Sequence, residues 1–501
     1  MDGRRTIRAH KSSSRYIAEG VRVVKRHVIT AFAAFGVVAL ALSGCTATVE
    51  GRAVSIYEDP FRVAGLPTTD GPSGPRPGVT DSTLTAIGGT GDDPDRLALD
   101  AVADIQTYWQ GEYPKDFTGA FAPVAKLYSW DATSAQVSQF CHESTTHVAN
   151  AAYCRPDNSI GWDRGVLLPS MQRDFGTMAI VMALAHEYGH AVQTMAHLVD
   201  AKTPTIVKEQ QADCFAGAFI RHVAEGDSRH FTINTSNGLN SVLAATVAIR
   251  DTDPQNPESV HGSAFERVSA VQIGFTDGPK GCAAIDMRNV ERRRQGLPQS
   301  YGDDPDHGEL PITKDSLTEL GKAMESIMPI ANEPTFDYLG ARLGCSDAAD
   351  TVPVTYCPAT NTIGADVPAL AARGATDTGA ATGFPMHVGG DYNAYVVFVS
   401  RYALAVQHDS RQPLTGAKTG LRAACLSGVI TAALGDPARS VVNGDIALSP
   451  GDLDKAVSGL LTDGLAASDV AGNTVPSGFS RVDAFRAGVL GNAQICRSRY
   501  S

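Results

Sequence analysis

Residues 184–193 read LAHEYGHAVQ, and within them His186, Glu187 and His190 are the side chains able to do chemistry. In an α-helix, residues i and i+4 share one face about 6 Å apart. Both imidazoles can therefore aim at one divalent cation. Glu187 lies one position round, where its carboxylate reaches a water on that cation without binding the cation itself. Imidazole with one carboxylate suits Zn²⁺. A reactive site also needs a third protein ligand and an open fourth position for water. Glu209, 19 residues after His190, opens the run EQQAD and is the expected third ligand of a single Zn²⁺. Asp213 shares its helical face. It is expected to accept a hydrogen bond from the outer nitrogen of a ligand histidine, His186, fixing the ring and raising its basicity. The competing reading is a surface helix with solvated His and Glu. Against it stands the apolar run AIVMALA before His186, because a charged cluster buried there needs partners.

The elements that must carry these residues occur twice. YCRPDNSIGWD (153–163) matches YCPATNTIGAD (356–366). HEYGHAVQ (186–193) falls opposite SRYALAVQ (400–407), QADCFAGAFI (211–220) opposite RAACLSGVI (422–430), and FERVSAVQIG (265–274) opposite FSRVDAFRAG (479–488). Blocks in the same order at similar spacing indicate a tandem duplication. Opposite His186, Glu187 and His190 stand Ser400, Arg401 and Leu404. Opposite Glu209 and Asp213 stand Gly420 and Ala424. The scaffold residues persist while the proposed ligands are lost, so the second copy is read as non-catalytic. Each copy holds four cysteines. Stapling each copy within itself predicts Cys141–Cys154, Cys214–Cys282, Cys345–Cys357 and Cys425–Cys496. Each bridge would contribute about 2–4 kcal/mol by restricting the unfolded chain.

Helical periodicity appears over 94–110, 175–196, 209–226, 239–251 and 263–275, and NSIGWD (158–163) is strand-like. The expected fold is mainly α with a small β hairpin or sheet (α+β), in two tandem homologous zincin-like domains, the second without metal ligands. The expected boundaries are 1–44, a signal segment; 45–92, a flexible tether rich in Gly, Pro, Thr and Asp; 93–285, the metal domain; 286–312, a charged, proline-bearing linker; and 313–501, the degenerate copy.

Residues 1–44 combine a basic start with the apolar run VITAFAAFGVVALAL (28–42) and end before Cys45 in Leu42-Ser43-Gly44. This resembles a bacterial lipobox, with cleavage before Cys45 and lipid on its thiol; the other reading is an uncleaved anchor. Either places the rest of the chain outside the cytoplasm, lipid-anchored at a bacterial cell membrane in the first case. Removing 1–44, with its eight basic and two acidic residues, moves the net charge from −12 to −18. Such a chain is a poor partner for nucleic acid.

HEYGHAVQ, with EQQADCFAG and HGSAFERV downstream, resembles the bacterial neutral zinc metallopeptidase family, which is gluzincin-like. YC-x-x-D-x-x-I-x-x-D resembles that family's strand before the active helix. The similarity covers roughly 95–285. It implies hydrolysis of peptide bonds in a peptide or protein substrate, with His186 and His190 as ligands, Glu209 as the third, and Glu187 as general base toward zinc-bound water. His261, in Val260-His261-Gly262-Ser263, is the candidate oxyanion donor. Tyr188 is the alternative donor, although Tyr402, retained opposite it, favours a packing role, and NSIGWD is a candidate for strand addition to an extended substrate. The rival function is a non-catalytic binding or assembly lipoprotein with a metal-stabilised first domain. A third option has 313–501 contacting and gating the first domain in cis.

Overall fold

The computed structural model describes residues 59–136, 138–251, 261–294, 297–299, 308–375, 388–435 and 446–501. The expected signal segment and Cys45 lie outside the described residues.

The described chain opens with β1 (Arg62–Val63), β2 (Leu66–Pro67) and β3 (Gly74–Pro75). α1 (Asp93–Asp116) starts at Asp92, whose side chain accepts the Asp95 N–H. Next come β4 (Lys126–Trp130), the short hairpin β5 (Gln139–Phe140) and β6 (Glu143–Ser144), then β7 (Ala151–Cys154) and β8 (Ser159–Asp163). β8 runs down the middle of a three-stranded sheet, parallel to β4 and antiparallel to β7. Helix 175–196 begins two residues later than expected. Phe175 closes α2 (Leu167–Phe175), and Gly176, at φ +80°, turns the chain into α3 (Thr177–Met195). α4 (Thr205–Ala224), β9 (Phe231–Thr232), α5 (Asn237–Ala248) and α6 (Ala264–Ala283) complete the first half. A capping box between Ser263 and Glu266 starts α6.

α7 (Met287–Arg294) and α8 (Lys314–Ile327) lead into the second half. There β10 (Thr335–Asp337), β11 (Val354–Cys357) and β12 (Thr362–Ala365) form a sheet of the same design, with β12 central, parallel to β10 and antiparallel to β11. α9 (Val367–Arg373), α10 (Asp391–Asp409), α11 (Ala417–Leu434), α12 (Asp452–Thr462), α13 (Gly478–Val489) and α14 (Ala493–Arg499) follow. The fold is mainly α with small sheets. The four cysteine pairs are those expected from the repeat, with Cα–Cα distances of 5.3 to 5.6 Å.

Glycines explain why the blocks repeat. A Cβ on Gly274 would lie 1.7 Å from the carbonyl oxygen of Cys214, and one on Gly488 would lie 1.9 Å from that of Cys425. Only a residue without a side chain lets α6 approach α4, and α13 approach α11, this closely. Gly189 does the same for α3 against α4, where a Cβ would sit 2.9 Å from the Ala212 Cα. That contact brings the two histidines to the helix bearing Glu209.

Three expectations about organisation are corrected. First, the halves are not separate domains, because the described residues belong to one compact unit with one continuous apolar core. Phe275 and Phe479 meet with ring centroids 4.9 Å apart. Gln272 donates to the Phe479 carbonyl at 3.0 Å, and Asn240 accepts the Gly478 N–H at 2.7 Å. Second, residues 59–92 are no free tether. Val63 and Ala64 are buried, β3 pairs with β9, and Arg76 donates to the Phe231 carbonyl at 2.8 Å. A polar, glycine-rich segment can dock through backbone hydrogen bonds without apolar periodicity. Third, part of the 286–312 linker is α7, whose Arg294 pairs with Glu266 at 2.5 Å and whose Arg293 donates to Gln210. The sequence reads as a linker, yet Arg293 and Arg294 satisfy polar groups of the first half.

Candidate metal centre

α3 presents His186 and His190 one turn apart, with ring centroids 4.9 Å apart and planes at 88°. α4 brings Glu209 between them. Its Oε2 lies 3.2 Å from His186 Nε2 and 3.5 Å from His190 Nε2. One ligand atom from each of the three residues lies within 4.8 Å of the others. Two imidazole nitrogens and a carboxylate oxygen thus converge, a donor set that fits a divalent transition metal.

The outer nitrogens are engaged as well. His186 Nδ1 lies 2.8 Å from Asp213 Oδ1. A carboxylate only accepts, so Nδ1 carries the proton and Nε2 faces Glu209. Arg267 on α6 grips Asp213 with two bonds, Nε to Oδ2 at 2.9 Å and Nη2 to Oδ1 at 2.8 Å. Gln193 plays the matching part for His190, with Oε1 3.0 Å from Nδ1. The Gln193 amide is oriented by donating to the Lys208 carbonyl at 2.5 Å and to Gln211 Oε1 at 3.2 Å.

These contacts move the titrations. Burial alone would lower the His186 pKa, but Asp213 and Glu209 outweigh it and lift the imidazolium to about 10. Burial raises Glu209, yet the two imidazoles hold its carboxyl far below the ordinary range. Burial likewise raises Asp213, and Arg267 with His186 brings it below its usual value.

Glu187, next to His186 on α3, is held by the neighbouring sheet. Its Oε2 accepts the Tyr153 N–H of β7 at 2.9 Å. Burial raises its pKa, against the pull of His186 and His190. A cavity of about 450 Å³ adjoins it, lined by His186, Glu187, Met171, Met182, His261 and Arg267 among others. His261 stands at its rim with its side chain 43% exposed, and its Nδ1 lies 3.2 Å from Asp251 Oδ1. Burial would raise the Asp251 pKa, but the hydrogen bonds it accepts from His261 and the Gly262 N–H bring it below normal.

Tyr188 packs in the core, as does Tyr402, which stands opposite it in the second copy. The Tyr188 hydroxyl accepts the Val124 N–H at 3.4 Å. The strand-addition expectation moves by one strand. NSIGWD lies on β8, which has neighbours on both sides, whereas β7 is the sheet edge beside Glu187. Sequence reasoning missed Arg267, Asp251, Gln193 and the Tyr153 N–H. Arg267 was masked by the repeat, because its counterpart Arg481 is also arginine and so looks like scaffold. Gln193, retained as Gln407, was masked in the same way.

The fold and cluster thus define a mainly α protein with a two-histidine, one-carboxylate constellation. An uncharacterized protein of Mycobacterium tuberculosis strain H37Rv is 25% identical over 198 residues, covering 35% of this chain and 64% of that protein. Uncharacterized proteins of M. tuberculosis strain CDC 1551 and of Mycobacterium bovis match to the same extent. The match spans less than two thirds of the relatives' own length. No protein-family model and no solved structure matches the chain.

Proposed function

We propose that this protein is a zinc-dependent peptidase, held by lipid on Cys45 at the outer side of a bacterial membrane, with a second half that performs no catalysis. The observation that carries the reading is the convergence of His186, His190 and Glu209 beside a carboxylate, Glu187, that is not needed as a ligand. A purely structural metal has no use for that fourth group.

Zn²⁺, when bound, supplies a Lewis acid that activates water and polarises the carbonyl under attack. His186, His190 and Glu209 would hold it. Glu187, with its basicity raised by burial, takes the proton of the attacking water and passes it to the leaving amine. The Tyr153 N–H keeps that carboxylate aimed. His261, oriented by Asp251, is placed to donate to oxyanion charge in the same cavity. β7, the edge strand of its sheet, would offer backbone groups to an extended peptide.

Metal analysis with a peptide-cleavage assay on wild type and Glu187→Gln tests the proposal. Zinc retained in both, with cleavage lost by roughly 100-fold or more in the variant, supports it. Equal cleavage in both, or none in either with zinc bound, favours the non-catalytic binding lipoprotein. No residue of 313–501 lines the cavity beside Glu187 among the described residues, which argues against occlusion by the second half.

A further inference from the structure

The second half has lost the metal ligands but keeps a cavity. Five arginines are buried among the described residues: Arg267, Arg293, Arg401, Arg422 and Arg481. The first four donate hydrogen bonds through their guanidinium groups. Arg481, 4% exposed, has no side-chain hydrogen bond or ion pair among the described residues, and its Nε is buried without a partner. Asp463 attracts it electrostatically but is bonded to Arg373, and a buried guanidinium with an unbonded Nε is expensive, so its presence asks for an explanation.

The repeat supplies one. Arg481 stands opposite Arg267, and Arg267 is satisfied by the carboxylate of Asp213. Opposite Asp213 the second half has Ala424. The guanidinium was kept and its internal carboxylate was lost. Arg481 lines a cavity of about 470 Å³, bounded by α2 and α5 of the first half, by α12, and by the segment before α13. Val475, the counterpart of His261, lines it too, whereas Ser400 and Arg401, opposite His186 and Glu187, do not. Phe175, Leu461 and Val475 make part of its wall apolar, while Asn237 and Asn240 add polar groups. The two acids in the lining are already engaged. Asp174 takes two bonds from Arg173, and Asp463 takes two from Arg373.

We propose that this cavity binds a carboxylate bearing an apolar chain, with the carboxylate on the terminal nitrogens of Arg481, in place of the internal acid that Asp213 provides for Arg267. A guanidinium fork matches a carboxylate in a two-bond, planar arrangement. The apolar chain lies against Phe175, Leu461 and Val475. The site involves no metal and stands independently of the peptidase reading.

Titration calorimetry on the full chain in excess chelator tests this, since chelation removes carboxylate binding to a metal. The probes are hexanoate, N-acetyl-leucine as a mimic of a peptide C-terminus, and hexanamide as a neutral isostere. Hexanoate or N-acetyl-leucine is expected to bind once per chain, and hexanamide roughly tenfold or more weaker. Whichever acid binds tighter identifies the source as a free acid or a peptide terminus. Arg481→Met is expected to abolish binding with an unchanged or raised melting temperature, whereas a merely structural arginine would lower it. Arg481→Lys, which keeps the charge without the fork, serves if Arg481→Met does not fold, with binding weakened roughly tenfold. No binding of either acid to chelated wild type, equal affinity for hexanamide, or unchanged affinity in the folded variant would overturn the proposal.

Discussion

Glu187 and Arg401 occupy equivalent positions on α3 and α10 and are satisfied by opposite faces of the same peptide chemistry. Glu187 accepts the Tyr153 N–H of β7 at 2.9 Å, and Arg401 donates to the Val354 carbonyl of β11 at 3.1 Å. Arg401 also donates to Ser468 Oγ at 3.0 Å and to the Leu465 carbonyl at 3.2 Å. One exchange of charge sign converts a carboxylate facing a cavity into a guanidinium spent on internal acceptors. The strand and helix around it need not change.

Asp213→Asn is expected to weaken zinc binding by about 10–100-fold, because the amide no longer offers His186 and Arg267 a full charge. Competition with a graded chelator measures this. Affinity equal to wild type would mean that Asp213 does not orient His186.

Gly274→Ala places a methyl against the Cys214 carbonyl, so a loss of about 1–3 kcal/mol is expected in urea unfolding. Gly488→Ala should behave alike, because it meets Cys425 in the same way. Gly111→Ala, exposed on α1 with open space around it, should instead stabilise by about 0.5–1 kcal/mol.

Asp454 bridges the halves, accepting the Phe265 N–H at 3.0 Å and lying 3.5 Å from Arg250. Burial pushes its pKa from 3.8 up to about 6, against the pull of Arg250. Between those values the folded chain holds a proton that the unfolded chain has released. Stability therefore falls as pH rises through this window, and the loss is complete above about 6. Asp454→Asn, which keeps an acceptor for Phe265, should remove up to about 3 kcal/mol of that decline between pH 4 and 7. Unfolding curves of both chains across this range check it, and parallel slopes would exclude Asp454 as the source.

Deleting 313–501 would strip α5 and α6 of their packing against α12 and α13, including Phe479 and Asp454. The shortened chain is expected to lose its cooperative thermal transition and become sensitive to protease. A truncated form as protease-resistant as the full chain would show that the first half folds alone.

Much of the site was legible because it is local. The helical period places His186 with His190 and Glu209 with Asp213 whatever the rest of the chain does. The repeat made the cysteine pairing and the loss of ligands in the second half readable, because four aligned cysteines per copy suggest pairing within each copy. What the tertiary structure alone decided is non-local. Arg267 reaches Asp213 from another helix, Asp251 meets His261 ten residues further on, and the Tyr153 N–H turns toward Glu187 because β7 is an edge strand. The fusion of both halves into one core was likewise hidden. Apolar faces of α6 and α13 read the same whether they cover their own domain or each other, and only their packing in space distinguishes the two.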